Sequence, residues 1–164
     1  HLTDIAVLEV RRPFQLSEGF RKIDLDTTLE RRIVEGLFND NRTFFLSAGF
    51  GDTDISDRGG TKNVVIQNTV KHCTVENSTD FACHPEIEFV STIEGVPISL
   101  QTDTCNGDSG GPMIISNNSL NAEFVLVGVI ARGIAGGSER CGRGGVYVSL
   151  FDEKIRVWLA KNIN

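Results

Sequence analysis

TDTCNGDSGGPM, residues 102–113, is the most informative stretch of this chain. It sets one serine, Ser109, between glycines and acids, in Gly107-Asp108-Ser109-Gly110-Gly111-Pro112. A serine hydroxyl is a weak nucleophile until a base takes its proton. Acyl transfer at serine also needs donors for the oxyanion, usually backbone N–H groups. Glycines let the backbone turn until two N–H groups aim at one point with no Cβ between them. Gly107 and Ser109 stand where those donors are needed. A glycine-rich surface turn accounts for Gly-Asp-Ser alone, but the whole octet Cys105–Pro112 is far more specific.

The base is the open question, because the chain has three histidines, His1, His72 and His84. His1 lies three residues before Asp4. His72 and His84 flank Cys73 and Cys83, and the bland reading of that pair is two exposed loop histidines.

Composition narrows the class. At 164 residues, 40% hydrophobic and 23% charged, the chain can bury a core and is not a disordered tail. The net charge of −6 is spread without a basic stripe, which argues against nucleic acid as a partner. No window approaches the run of about 20 apolar residues that a membrane span needs. Four cysteines, Cys73, Cys83, Cys105 and Cys141, contain no CxxC pair. Neither a metal site nor a cofactor is therefore read from them. Their even number fits two disulfides and an oxidising compartment. Asn41, Asn77 and Asn117 open glycosylation sequons, which agree with a secreted location.

The apolar stretches are short and rich in Val, Ile and Phe, the composition of strands. The pattern predicts strands at Ile5–Val10, Thr43–Ala48, Asn63–Val70, Pro112–Ile115, Phe124–Arg132 and Gly145–Ser149. Phe151, Ile155 and Trp158 fall at i, i+4 and i+7, the spacing of a helix, with Ser149 or Asp152 as its cap. The expected class is all-β, many short strands ending in one helix.

Cys105-Asn-Gly-Asp-Ser-Gly-Gly-Pro112 resembles the active-serine segment of the trypsin/chymotrypsin family of serine proteases. Thr3-Asp4-Ile5-Ala6-Val7-Leu8 is similar to that family's segment around the triad aspartate, Ala48-Gly49-Phe50-Gly51 to its Gly-Trp-Gly strand end, and Gly144-Gly145-Val146-Tyr147 to its Pro-Gly-Val-Tyr. The resemblance implies a chymotrypsin-like double β-barrel. Residues 1–25 would close the first barrel and begin the linker, and residues 26–164 would form the second barrel with the C-terminal helix.

It also implies a set of roles. Asp4 and Ser109 would be catalytic, with Gly107 and Ser109 forming the oxyanion hole. Asp103 would floor a pocket that selects Arg or Lys before the scissile bond (the P1 residue), through a charge-assisted pair. Gly133 and Gly145 would be pocket walls. Asp108 would pair with the amine freed on activation. Cys73–Cys83 and Cys105–Cys141 would be disulfides, with Phe45 and Ile115 at the positions of a third family pair.

The family's Ala-Ala-His-Cys segment does not occur in these residues. The histidine is therefore expected from a companion N-terminal chain, with about 80–100 residues upstream on the usual size of two-barrel proteases. Association without a covalent tether is expected, since no cysteine is left to make one. Arg32-Ile33-Val34-Glu35-Gly36 resembles an activation site but falls in the family's interdomain linker, and is read as coincidence. The family's Ser-Trp-Gly at the pocket edge is Ala131-Arg132-Gly133 here. A bare cation at 132 predicts acidic or polar residues at P2–P4. The function implied is a secreted trypsin-like endopeptidase acting on peptides or proteins. The alternative is a non-catalytic homologue that uses the scaffold for binding.

Overall fold

The structure, a computed structural model, describes residues 4–15, 31–40, 43–53, 59–67, 69–93, 102–116, 124–134, 141 and 143–163; the side chains of 31–33 are outside the description. Its elements run α1 (Arg31–Phe38), β1 (Phe44–Gly49), β2 (Asn63–Gln67), β3 (Thr69–His72), α2 (Ser78–Phe81), β4 (Glu88–Thr92), β5 (Pro112–Ser116), β6 (Val125–Gly133), β7 (Gly145–Ser149) and α3 (Glu153–Asn162). The strands form one sheet in the order β2-β1-β5-β6-β7-β4-β3, every pairing antiparallel.

That order forces curvature. β2 and β3 occupy the two ends of the ladder, yet only residue 68 separates them in the chain. Two residues of extended chain reach about 7 Å at most. The two edges must meet at that corner, so the sheet curls round on itself. This is the all-β architecture of a chymotrypsin-like barrel, with one helix after the last strand. The single strand expected over Asn63–Val70 is thus two, one at each edge.

Inward residues fill the curl. Phe89 stacks on Tyr147 at 5.2 Å between ring centres and on Phe151 at 5.7 Å. Met113, Ile115, Val127 and Ile130 join them in the core. Phe45 and Ile115 lie directly opposite each other on β1 and β5, and both are buried. An apolar pair thus fills the place where the family resemblance puts a disulfide, and each such side chain contributes about 1.5–3 kcal/mol by leaving water.

Two expectations need correction, those for Ile5–Val10 and for His72. Ile5–Val10 is not a strand; a strand needs a neighbour's hydrogen bonds, and the described sheet presents no partner to it. Arg32–Gly36 lies within α1, whose Val34 and Leu37 enter the core one helical turn apart. His72 is no exposed loop residue. It ends β3, packs against the Phe38 ring at 4.8 Å and places Nε2 3.1 Å from Glu35 Oε1 of α1.

The final helix starts as expected. Asp152 Oδ1 accepts the Lys154 N–H at 2.9 Å, while the Asp152 N–H donates to Ser149 Oγ at 3.1 Å. Ile155 and Leu159, four apart, bury one face against Ile87, Val148 and Leu150.

Candidate active site

The loop before β5 carries Ser109. Gly107 and Gly110 have φ of +93° and +85°, the left-handed region that glycine enters without strain. The loop folds on itself through Asp108 N–H to the Cys105 carbonyl (3.1 Å) and Gly111 N–H to the Asp108 carbonyl (2.9 Å). It is fastened to β6 by Gly110 N–H to the Ile130 carbonyl and Ile130 N–H to the Gly111 carbonyl, both 2.8 Å. Against that full use of neighbouring donors, the N–H groups of Gly107 and Ser109 have no hydrogen-bond partner among the described residues. Two unsatisfied donors two residues apart in a tight turn suit an oxyanion.

Asp108 holds the loop from below. Its carboxylate accepts the Gly51 N–H at 2.7 Å and the Cys105 N–H at 2.8 Å. Only glycine fits at 49 and 51. A Cβ at Gly49 would overlap the Asp108 carboxylate, and one at Gly51 would sit 2.5 Å from the Asn106 carbonyl oxygen. A hollow of about 280 Å³ lies beside this carboxylate, lined by Asp52, Asp103, Val64 and Val65.

Three recesses meet at Ser109, and two of them bear on the chemistry. One is a small pocket of about 120 Å³, lined by Asp103, Thr104, Gly107, Ser109, Gly133, Arg143 and Gly144. The Asp103 carboxylate accepts the Thr104 and Gly144 N–H groups, each at 2.7 Å. Gly133 faces open space, with nothing within 4 Å of a Cβ built there. Gly144, with φ +102°, tolerates no side chain, because a Cβ would overlap the Ser91 carbonyl. Gly145 is buried, donating to Ser91 Oγ at 3.0 Å. Ala131 is buried too, so neither lines this pocket. The Cys105–Cys141 disulfide joins the serine loop to the segment that closes the pocket, and Cys73–Cys83 closes the loop around α2.

The other recess is a cleft of about 760 Å³, where Asp4, Ile5, Val7 and Leu8 face Ser109, Leu126, Val129, Leu159 and Ile163. Asp4 and Ser109, 105 positions apart in sequence, thus line one cleft. Neither described histidine lines it. His72 is in the core-facing cluster given above, and His84 sits in a turn where its Nδ1 accepts the Glu86 N–H at 3.3 Å.

A family model described as Trypsin matches residues 1–158. The chain belongs to the trypsin family. Its domain is therefore of serine-protease kind. No helix among the described residues is long and apolar enough to cross a membrane.

Arg132 departs from expectation. Its Nη1 and Nη2 donate to Glu88 Oε1 and Oε2, both at 2.8 Å, and Nη2 also donates to the Ala82 carbonyl at 2.6 Å. Hydrogen bonding to Glu88 is the largest influence holding this guanidinium above its ordinary pKa. The bare cation expected beside the pocket is a paired one. Glu88 had no sequence signal: it is 44 positions from Arg132 and buried to 7% exposure.

Of the glycosylation candidates, Asn41 and Asn117 lie outside the described residues, as do His1 and the boundary at 25/26. The Asn77 side chain is used by its own loop. Its Oδ1 accepts the Thr74 N–H at 2.8 Å and its Nδ2 donates to the His72 carbonyl at 3.0 Å.

Proposed function

We propose that this chain carries the nucleophile and the triad acid of a secreted, trypsin-like serine endopeptidase that cleaves after Arg or Lys. The observation that carries the reading is the pair of N–H groups at Gly107 and Ser109 with no hydrogen-bond partner among the described residues, next to a hydroxyl that shares its cleft with Asp4.

In this mechanism a histidine of a companion N-terminal segment enters the 760 Å³ cleft between Asp4 and Ser109. Asp4 holds that imidazole in the tautomer whose free nitrogen faces Ser109. The imidazole takes the Ser109 proton as Oγ attacks the scissile carbonyl. Negative charge grows on the carbonyl oxygen and is met by the Gly107 and Ser109 N–H groups. The imidazolium then protonates the leaving amine. Water, deprotonated by the same imidazole, attacks the acyl-enzyme and frees Ser109.

Asp103 supports selection of a P1 cation, since a carboxylate lining a narrow pocket beside Ser109 favours a charge-assisted partner. Gly133 supports entry of a long side chain because its own would fill the pocket. The Asp108 carboxylate, with a hollow beside it, is suited to receive the amine released on activation, which would tighten the same loop. Two disulfides agree with an oxidising, extracellular location. The apolar wall of the cleft, with Val7 and Leu8 exposed, is the surface on which the companion segment would pack.

The test is cleavage of peptides that differ only at P1, using the protein with its companion segment. Preference for Arg and Lys is expected. Turnover with no P1 preference would remove the role of Asp103, and absence of both turnover and covalent labelling at Ser109 would favour a binding homologue.

A further inference from the structure

β6 carries a bulge between Ile130 and Arg132, where its register against β7 shifts. Bulges next to active sites re-aim side chains. Here the result is that Arg132, whose strand ends in the pocket wall Gly133, spends its guanidinium on the protein itself. Both oxygens of Glu88 are engaged by the guanidinium in a fork, and Oε2 also takes the His84 N–H at 2.7 Å. The Ala82 carbonyl, at the left-handed cap of α2, takes a further donor. Glu88 reaches this point from β4, where all five residues are buried. Bidentate pairing supplemented by further hydrogen bonds is the arrangement in which a buried ion pair is best compensated.

We propose that Glu88 sets the charge preference of the non-primed side of the cleft by cancelling the Arg132 cation in place. This rests on the protease reading above. The substrate class is then a peptide with a basic P1 residue and neutral, unbiased residues at P2–P4, in place of the acidic bias that a bare arginine would create. Arg132 offers the substrate its aliphatic stem and a neutralised tip. The charges around the tip are the Glu88 carboxylate of β4 and Asp4, whose field also favours the charged guanidinium, while His84 of the turn preceding β4 contributes its backbone N–H to Glu88.

The experiment compares wild-type protein, E88Q and R132M, each with its companion segment, on peptides with P1 Arg and either Glu or Leu at P2–P4. Wild type should cleave both series with kcat/KM within about twofold. E88Q, which uncovers the cation, should shift the ratio toward Glu by roughly tenfold, the factor that about 1.4 kcal/mol of charge attraction supplies. That gain should shrink in high salt. R132M should stay flat. A wild-type ratio already tenfold toward Glu overturns the proposal, and so does an E88Q ratio equal to wild type. Because the wild-type ratio alone can refute it, the proposal stays exposed even if E88Q folds poorly. A wild-type protein that cleaves neither series overturns the protease reading itself, which is a different outcome from active cleavage with an acidic bias.

Discussion

Gly49 lies directly against Asp108, so close that a Cβ at position 49 would overlap the carboxylate. The end of β1 is therefore the backing of the serine loop. Gly49→Ala must push Asp108 away from the Gly51 and Cys105 N–H groups that hold it. Overpacking of this kind costs about 1–3 kcal/mol. We expect a lower urea midpoint, and a larger loss in the rate of fluorophosphonate labelling at Ser109, since the oxyanion donors ride on the same turn.

Asp103 is expected to account for P1 selection. Asp103→Asn keeps the shape of the group, but the charge is gone and its single carbonyl oxygen can keep only one of the two backbone contacts. A hydrogen bond to a charged partner contributes about 1.5–3 kcal/mol, so kcat/KM for Arg substrates should fall about 10- to 100-fold. Neutral P1 substrates should change little in comparison. Equal losses on both would show that Asp103 acts on the loop rather than on the substrate.

The phenol of Tyr147 gives a pH dependence. Burial raises its pKa above the ordinary value of 10.0, with hydrogen bonds to Ser91 and Ser47 opposing. The folded chain thus holds this proton more tightly than the unfolded chain. Its contribution is whole below about pH 10 and is lost as pH rises through the folded-state value. The denaturation midpoint should fall above about pH 10, and Tyr147→Phe should flatten that alkaline limb.

Asp152 caps α3 through the Lys154 N–H. Asp152→Ala should cost about 1 kcal/mol, seen as a shift of the urea midpoint with an unchanged slope.

The parts of the molecule that were legible in sequence are those set by local chemistry. β7 is legible with the bounds Gly145–Ser149 because Val146-Tyr147-Val148 is a short apolar run that follows two glycines, and all five of its residues are buried. The Asp152 cap and the glycines of the serine loop are likewise short-range. β4 went unread, because Glu88, Ser91 and Thr92 make it look polar although every residue in it is buried. Glu88 is inside only because Arg132 meets it there, and that pairing belongs to the tertiary fold. The same holds for the division between β2 and β3, which splits one apolar run between two ends of the sheet. In α1, Val34, Leu37 and Phe38 have helical spacing, but the apolar pattern spans barely two turns and gains its meaning only from packing on the core. Within the site, Asp103, Gly107, Asp108 and Ser109 came from one motif. The role of Gly49 in seating Asp108, and the diversion of Arg132 to Glu88, depend on contacts across 44 or more positions.

Whether Ser109 is an activated nucleophile is decided by one measurement: fluorophosphonate labelling of the protein with its companion segment, followed by mass mapping of the adduct. The expected result is a single adduct on Ser109 that disappears in Ser109→Ala and needs the companion's histidine. No adduct, or an adduct equally strong after that histidine is replaced by alanine, would contradict the triad proposed here.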